Sequence, residues 1–239
     1  PLFIKGIFDL NGSGSDIYSG TDGKAIHLVA TSYIDDLSHY GLGIANNGGG
    51  SDGEEYTLSG SANAGDDILV YRVGSGSNSE SFFADYFGDC FSEFDILVPT
   101  GLSFPDGNGD DPVELFENGI VIDFYGDVDG SAISGDPYED GWTYKLEDGT
   151  WLDGGEDCDV ESPEGYSVVS SGCPYPLCPE PAVPLQITTS VCPGATSVRL
   201  TGPWWSWDPN GGPEAVDNGD DTWTFTFDPA PDADMEYLL

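Results

Sequence analysis

Residues 112–130 read PVELFENGIVIDFYGDVDG: an apolar-rich run, Asn118-Gly119, a second apolar-rich run, then aspartates. Two such runs flanking Asn-Gly are the strongest short-range signal for a β-hairpin, because the tight turn needs positive φ at both central positions and these residues tolerate it. With a two-residue loop, Val113 is expected opposite Phe124 and Leu115 opposite Ile122, forming one apolar face. Glu114 then falls opposite Asp123 on the other face, and continued pairing sets Asp110 opposite Asp127.

Like charges directly opposed cost a sheet up to about 1 kcal/mol, so two stacked pairs invite a cation. Hard oxygen donors at this density suit Ca²⁺, which takes six to eight of them. The candidate ligands are Asp106, Asn108, Asp110, Glu114, Asp123, Asp127 and Asp129; the competing reading is that the strands fray and the carboxylates face water. Asp106, Asn108, Asp110 and Glu117 fit the first, third, fifth and twelfth ligand places of an EF-hand, but Asp111 stands where the loop needs glycine. No helix pattern flanks them, and an extended run would carry Glu117 too far away. An EF-hand is therefore excluded.

The same punctuation extends along the chain. Its 34 glycines and 17 prolines break it into short β-type runs at 2–8, 24–30, 40–46, 54–60, 67–73, 94–99, 113–117, 120–125 and 142–146, with no window showing a helical apolar period. Regularly spaced short strands with turn signals predict an all-β, antiparallel sandwich. Residues 158–184 become Pro-, Ser- and Cys-rich and read as a stiff linker. Beyond it, Trp223, Phe225 and Phe227 alternate onto one face. The expected organisation is a sandwich over 1–157, the linker over 158–184, and a second, smaller β-sandwich over 185–239 that reads as incomplete.

Charge bounds the partners. Five Lys plus Arg stand against 44 Asp plus Glu, a formal net charge of -39. Nucleic acid and anionic membrane surfaces both require clustered cations and are poor partners for such a chain; neither nucleic-acid binding nor membrane insertion is expected. Such a chain repels itself unless salt or divalent cations screen it, which points to saline, calcium-containing surroundings; the competing reading is a merely very soluble acidic protein. No apolar run is long enough to span a bilayer. Pro1 leads straight into the strand-like LFIKGIF, so a processed or trimmed N-terminus is expected. The cysteines are Cys90, Cys158, Cys173, Cys178 and Cys192. Extracellular disulfides are the first reading, with the pairing open, and a zinc site from Cys173, Cys178 and Cys192 is the second. Asn11 heads an Asn-x-Ser sequon for N-glycosylation.

Catalytic signals are sparse. GGSDG at 49–53 matches a nucleophile-elbow pattern, but in a glycine-rich loop without its strand-turn-helix setting. His27 lies in a strand run and His39 in LSHYG, neither with an expected triad partner. Trp204, Trp205 and Trp207 in PWWSWDPNGG suit either a sugar-stacking platform or core packing with one ring left outside.

Residues 2 to about 146 resemble the lamin-tail-like domains of secreted bacterial proteins. The resemblance rests on LFIKGI, GKAIHLVA, DDLSHYGLGIANNGGGSDGEEYTLSGSANAGDDILVY and GDDPVELFENGIVIDFYGDVDG followed by WTYK. It implies an immunoglobulin-like β-sandwich serving as a non-catalytic module on exported or surface proteins; His27 stands where such domains often carry an acid. Residues 198–239 are similar to the first half of a β-sandwich module appended to marine bacterial polysaccharide-degrading enzymes. Taken with the lack of a catalytic constellation, these resemblances point to a secreted or cell-surface structural protein of a filament or matrix. The incomplete second unit, with strand edges left for a neighbouring chain, suggests a homopolymer formed by strand addition, and the charge of -39 calls for Ca²⁺ between subunits. The alternatives are a carbohydrate-binding accessory region, with polysaccharide as partner, and a calcium-dependent adhesin.

Overall fold

Strand β1 (Leu2–Leu10) sets the plan of the first unit, because its side chains serve two cores. Leu2, Ile4 and Ile7 enter one apolar cluster, and Phe8 and Leu10 enter another on the opposite face. Strands β2 (Gly23–Ala30) and β5 (Asp67–Tyr71) divide in the same way. Ile26, Leu28, Ile68 and Val70 face the first cluster; Ala25, Leu69 and Tyr71 face the second. Side chains alternate across a strand, so a sheet buried on both faces needs near-continuous apolar runs such as ILVY at 68–71.

The computed structural model describes residues 1–10, 18–74, 78–154, 158, 174–177, 185–208 and 210–227. The chain divides into two compact units, Pro1–Cys178 and Pro179–Leu239, and it is mostly β with one short α-helix among the described residues.

The remaining strands of the first unit are β3 (Tyr40–Ile44), β4 (Tyr56–Thr57), β6 (Ile96–Pro99), β7 (Val113–Glu117), β8 (Ile120–Tyr125), β9 (Trp142–Lys145) and β10 (Trp151–Asp153). A six-stranded sheet runs β10-β9-β1-β2-β5-β6 and a four-stranded sheet runs β4-β3-β7-β8. Leu42, Ile44, Val113 and Leu115 of the smaller sheet complete the first cluster. The two sheets thus share one core.

Two features differ from the sequence expectation. Strand β6 pairs parallel to β5, Ile68 beside Ile96 through Tyr71 beside Pro99, so the larger sheet is not wholly antiparallel. A parallel neighbour requires a crossover, and this one carries helix α1 (Ser79–Phe87). Phe82, Phe83, Tyr86 and Phe87 are buried on its inner side, at the i, i+1, i+4, i+5 spacing of a helix face. They roof the outer face of the six-stranded sheet and build the second cluster with Phe94, Trp142 and Tyr175. Edge-to-face contacts recur there, such as Phe8 with Phe83 at 5.9 Å and Phe87 with Phe94 at 5.1 Å between centroids. Each such pair adds about 0.5–1.5 kcal/mol beyond area burial. Tyr175, within the stretch that reads as linker, lies at the centre of this cluster.

The second unit contains β11 (Leu185–Ser190), β12 (Val216–Asp217) and β13 (Thr222–Phe227) in the order β11-β13-β12. Trp223 and Phe225 are buried with Val198, Leu200 and Ala215, and Phe227 packs partly against them. The described residues supply one three-stranded sheet here, with β11 and β12 as its outer strands.

Candidate functional site

The β7–β8 hairpin turns through Asn118 at φ 52° and Gly119 at φ 76°, the backbone that Asn-Gly favours. Next to the turn the ladder follows the simple register, Glu117 with Ile120 and Phe116 with Val121. Ile122 is then looped out, and beyond it Leu115 pairs with Asp123, Glu114 with Phe124 and Val113 with Tyr125. One extra residue rephases a strand, exchanging the faces of everything beyond it.

The expected opposition of Glu114 and Asp123 is therefore overturned. They lie on opposite faces, and the ladder stops at Val113–Tyr125, so Asp110 and Asp127 are not ladder partners either. The expected pairs Val113–Phe124 and Leu115–Ile122 are lost with them, and Phe124 and Ile122 are exposed instead of facing the core. The physical reason lies in the environment of Asp123. Its carboxylate turns towards the six-stranded sheet, where Lys145 Nζ donates to both oxygens at 2.7 and 3.0 Å and the Ile4 N–H donates at 2.9 Å. A paired, hydrogen-bonded carboxylate replaces an apposed like-charge pair.

The other candidate ligands separate into two places. Asp106, Asn108 and Asp110 occupy the loop before β7. Asn46 Nδ2 donates to Asp106 Oδ2 at 3.4 Å, while Asp106 Oδ1 is buried without a hydrogen-bond partner among the described residues. Asp110 is held above the usual carboxylate range, first by burial and then by its neighbours Asp111 and Asp136. Asp111, which stands where an EF-hand loop needs glycine, has its own task. It is 0% exposed and accepts from the Asn47 N–H at 2.5 Å and the Asn108 N–H at 3.0 Å.

That contact fastens the glycine-rich loop after β3, which lies over the outer face of the smaller sheet. A Cβ on Gly43 would sit 2.2 Å from the Gly53 carbonyl oxygen, so the loop can approach only because Gly43 has none. From this loop Glu55 accepts the Ile44 N–H at 2.8 Å, and burial raises its carboxyl above the ordinary value, with Asp106 and Asp52 adding to the rise. Ser51 Oγ donates to Glu114 Oε2 at 2.5 Å. Glu114, Asp127 and Asp129 line one hollow of about 430 Å³ with Ser51, Val121 and Phe124. Among the described residues, no three His, Cys, Asp or Glu side chains converge as a metal-ligating group.

His27, expected to lack a triad partner, has a carboxylate beside it. Its Nε2 lies 2.7 Å from Asp67 Oδ1 and its Nδ1 2.7 Å from the Tyr175 hydroxyl. Burial lowers its pKa, opposed by the Asp67 contact. The ring is enclosed by Phe94 and Tyr175, so the His27–Tyr175 pair is a hydrogen-bonded strut inside the aromatic core, tied at its rim to the half-buried Asp67. His39 is at the surface, its Nδ1 3.1 Å from Asn118 Oδ1.

In the second unit, Trp204 and Trp205 form a short 3-10 turn (Pro203–Trp205), and Trp207 follows at φ 58°. Trp205 packs partly against the local core; Trp204 and Trp207 are each 46% exposed. Cys90 and Cys158 are disulfide-bonded, and Cys192 is an exposed free thiol. Cys173, Cys178 and the Asn11 sequon lie outside the described residues.

Sequence reasoning missed the Ser51–Glu114 contact and the exposure of Val121 and Phe124 beside it. The available signal was the glycine-rich run at 48–53, which allows a loop to lie flat on a sheet. Compared with protein-family models, curated proteins and solved structures, the chain matches none of them.

Proposed function

We propose that this protein is a non-catalytic structural module of an extracellular assembly, a filament, matrix or cell-surface subunit. It meets its neighbours through strand β8 and offsets its charge with bound or screening cations, Ca²⁺ first among them. One observation carries this reading. Ile120 is 70% exposed, Val121 39%, Ile122 41% and Phe124 55%, so one edge strand presents four large apolar side chains to solvent. Contiguous exposed apolar surface marks a contact site, and edge strands are where chains add to one another. In the second unit β11 is likewise an outer strand among the described residues, suited to strand addition by another copy.

Supporting observations come from elsewhere in the chain. Two sheets around one core agree with the immunoglobulin-like sandwich of lamin-tail-like domains, although the parallel β5–β6 pair and the helical layer are additions to that plan. Disulfides at Cys90 and Cys158 suit an oxidising, extracellular compartment. Burial of His27 removes it from any solute. Negative-stain microscopy in millimolar Ca²⁺ tests the reading. Ordered polymers that disperse on addition of EDTA are expected, and monomers under both conditions would count against it.

A second reading, carbohydrate binding, is favoured by the exposed faces of Trp204 and Trp207. Aromatic faces of this kind stack on pyranose rings. Under this reading the Trp204→Ala/Trp207→Ala variant loses retention on an insoluble β-glucan, while the Trp223-centred core remains intact by near-ultraviolet circular dichroism. Equal retention of both proteins would dispose of it.

A further inference from the structure

Glu114 is a buried carboxyl group with no Lys or Arg side chain paired to it among the described residues. It is 3% exposed and accepts one hydroxyl hydrogen bond, from Ser51 at 2.5 Å. All five Lys and Arg residues of the chain are described, and each is engaged elsewhere. Lys24 pairs with Asp9, Lys145 with Asp123 and Arg199 with Glu214. Lys5 lies over the Tyr144 ring and Arg72 Nε donates to the Leu102 carbonyl oxygen. Burying a carboxylate with neither a cation nor several donors is costly. The other deeply buried acids have more partners or a cation: Asp111 has two backbone donors, Asp22 the Ser19 N–H and the Ser79 hydroxyl, and Asp9 the Lys24 ammonium, which lessens the penalty without cancelling it. Glu114 lines a hollow.

The lining of that hollow defines what completes it. Exposed Asp127 and Asp129 add negative charge, and Val121 and Phe124 supply an apolar wall. A metal ion such as Ca²⁺ needs six to eight oxygens, and no group of three ligating acids is present among the described residues. A long aliphatic stem ending in a cation fits better. The stem packs on Val121 and Phe124, the charge meets Glu114, and a cation near the Phe124 ring gains a further attraction.

We propose that the Glu114 hollow receives a lysine or arginine side chain from a basic segment of a partner polypeptide. A second copy of this chain is a poor donor, since its five cations are already engaged and its net charge is -39. The acidic surface steers a basic partner towards the site at long range. The proposal names a partner for the β8 surface and so rests on that surface being a contact site, but the two ideas are tested by separate variants.

The probe is a blocked pentapeptide, acetyl-Val-Thr-Lys-Thr-Val-amide, titrated into the full-length protein by isothermal calorimetry, with a norleucine peptide in place of lysine as control. The lysine peptide is expected to bind, and Glu114→Gln, nearly isosteric, to weaken it by about tenfold. Phe124→Ser is expected to weaken it by about threefold, with no reliance on Glu114 folding normally. The Ile120→Ser/Ile122→Ser variant leaves the lining untouched and is expected to bind as the wild type does, even where assembly is lost. Equal binding of the two peptides, wild-type affinity in Glu114→Gln, or Ca²⁺ binding that depends on Glu114 would each overturn the proposal.

Discussion

Asp111→Ala is expected to lower the unfolding free energy by roughly 4 kcal/mol, read from urea denaturation of the full chain. The Asp111 carboxylate is 0% exposed and accepts two backbone N–H bonds, from Asn47 and Asn108. Charge-assisted bonds contribute about 1.5–3 kcal/mol each, and the variant also leaves two donors with no acceptor. One of these donors belongs to the loop that lies over β3 and β7, so the damage is not local. Ser51 and Glu55 are carried by that loop, and their bonds to Glu114 and to the Ile44 N–H should weaken with it. Asp111→Asn keeps the volume but turns its amide NH₂, itself a donor, towards one of the two N–H groups, and should recover less than half of the loss. A change below about 1 kcal/mol in Asp111→Ala would contradict this account of the loop, given total stabilities of about 5–15 kcal/mol.

The second large effect depends on pH. Asp9 is raised from 3.8 to about 6, first by burial, with Lys24 opposing the rise and Asp140 and Glu139 adding to it. Lys24 Nζ pairs with Asp9 and also donates to the Gly107 carbonyl oxygen at 2.6 Å, but one ammonium does not offset the loss of water around the carboxylate. The folded state therefore holds the Asp9 proton more tightly than the unfolded chain does. Stability from this group is present in full below the unfolded value and is lost as pH rises through the folded one. The shift corresponds to roughly 3 kcal/mol between about pH 4 and about pH 6. Asp9→Asn removes the titrating proton and should flatten the stability–pH curve across that window by this amount. Parallel curves for wild type and variant would show that Asp9 ionises normally.

Much of this architecture was legible in the sequence, and the exceptions have physical causes. Asn118-Gly119 announced its hairpin because the turn is a property of those two residues. The bulge at Ile122 could not be read, because Ile120, Val121 and Ile122 are alike in shape and polarity and nothing local selects the one that loops out. Lys145 on β9 and the Ile4 N–H on β1 decide it, by capturing Asp123. Helix α1 was hidden in another way. Its buried aromatic residues at 82, 83, 86 and 87 fall within less than two turns, too short a run to establish a period, have modest helix propensity, and sit in a short stretch of Ser, Asp and Gly.

The candidate site was legible as a region but not as a geometry. Density of acidic residues singled out 104–130, yet alternation alone cannot tell a solvated polar face from one covered by a distant loop. Glu114 is buried because Gly43 admits the 46–55 loop, and Asp111 is buried because it fastens that loop. Tyr175 falls in a stretch whose prolines read as linker, although its ring fills the aromatic core and its hydroxyl meets His27.

Sedimentation velocity in millimolar Ca²⁺, comparing wild type with Ile120→Ser/Ile122→Ser, tests the assembly reading most directly. Both substitutions lie on exposed positions of β8, so the fold should persist by circular dichroism. Large, EDTA-sensitive species are expected for the wild type and a monomer boundary for the variant. Identical boundaries for the two proteins, whether monomeric or polymeric, would contradict that reading.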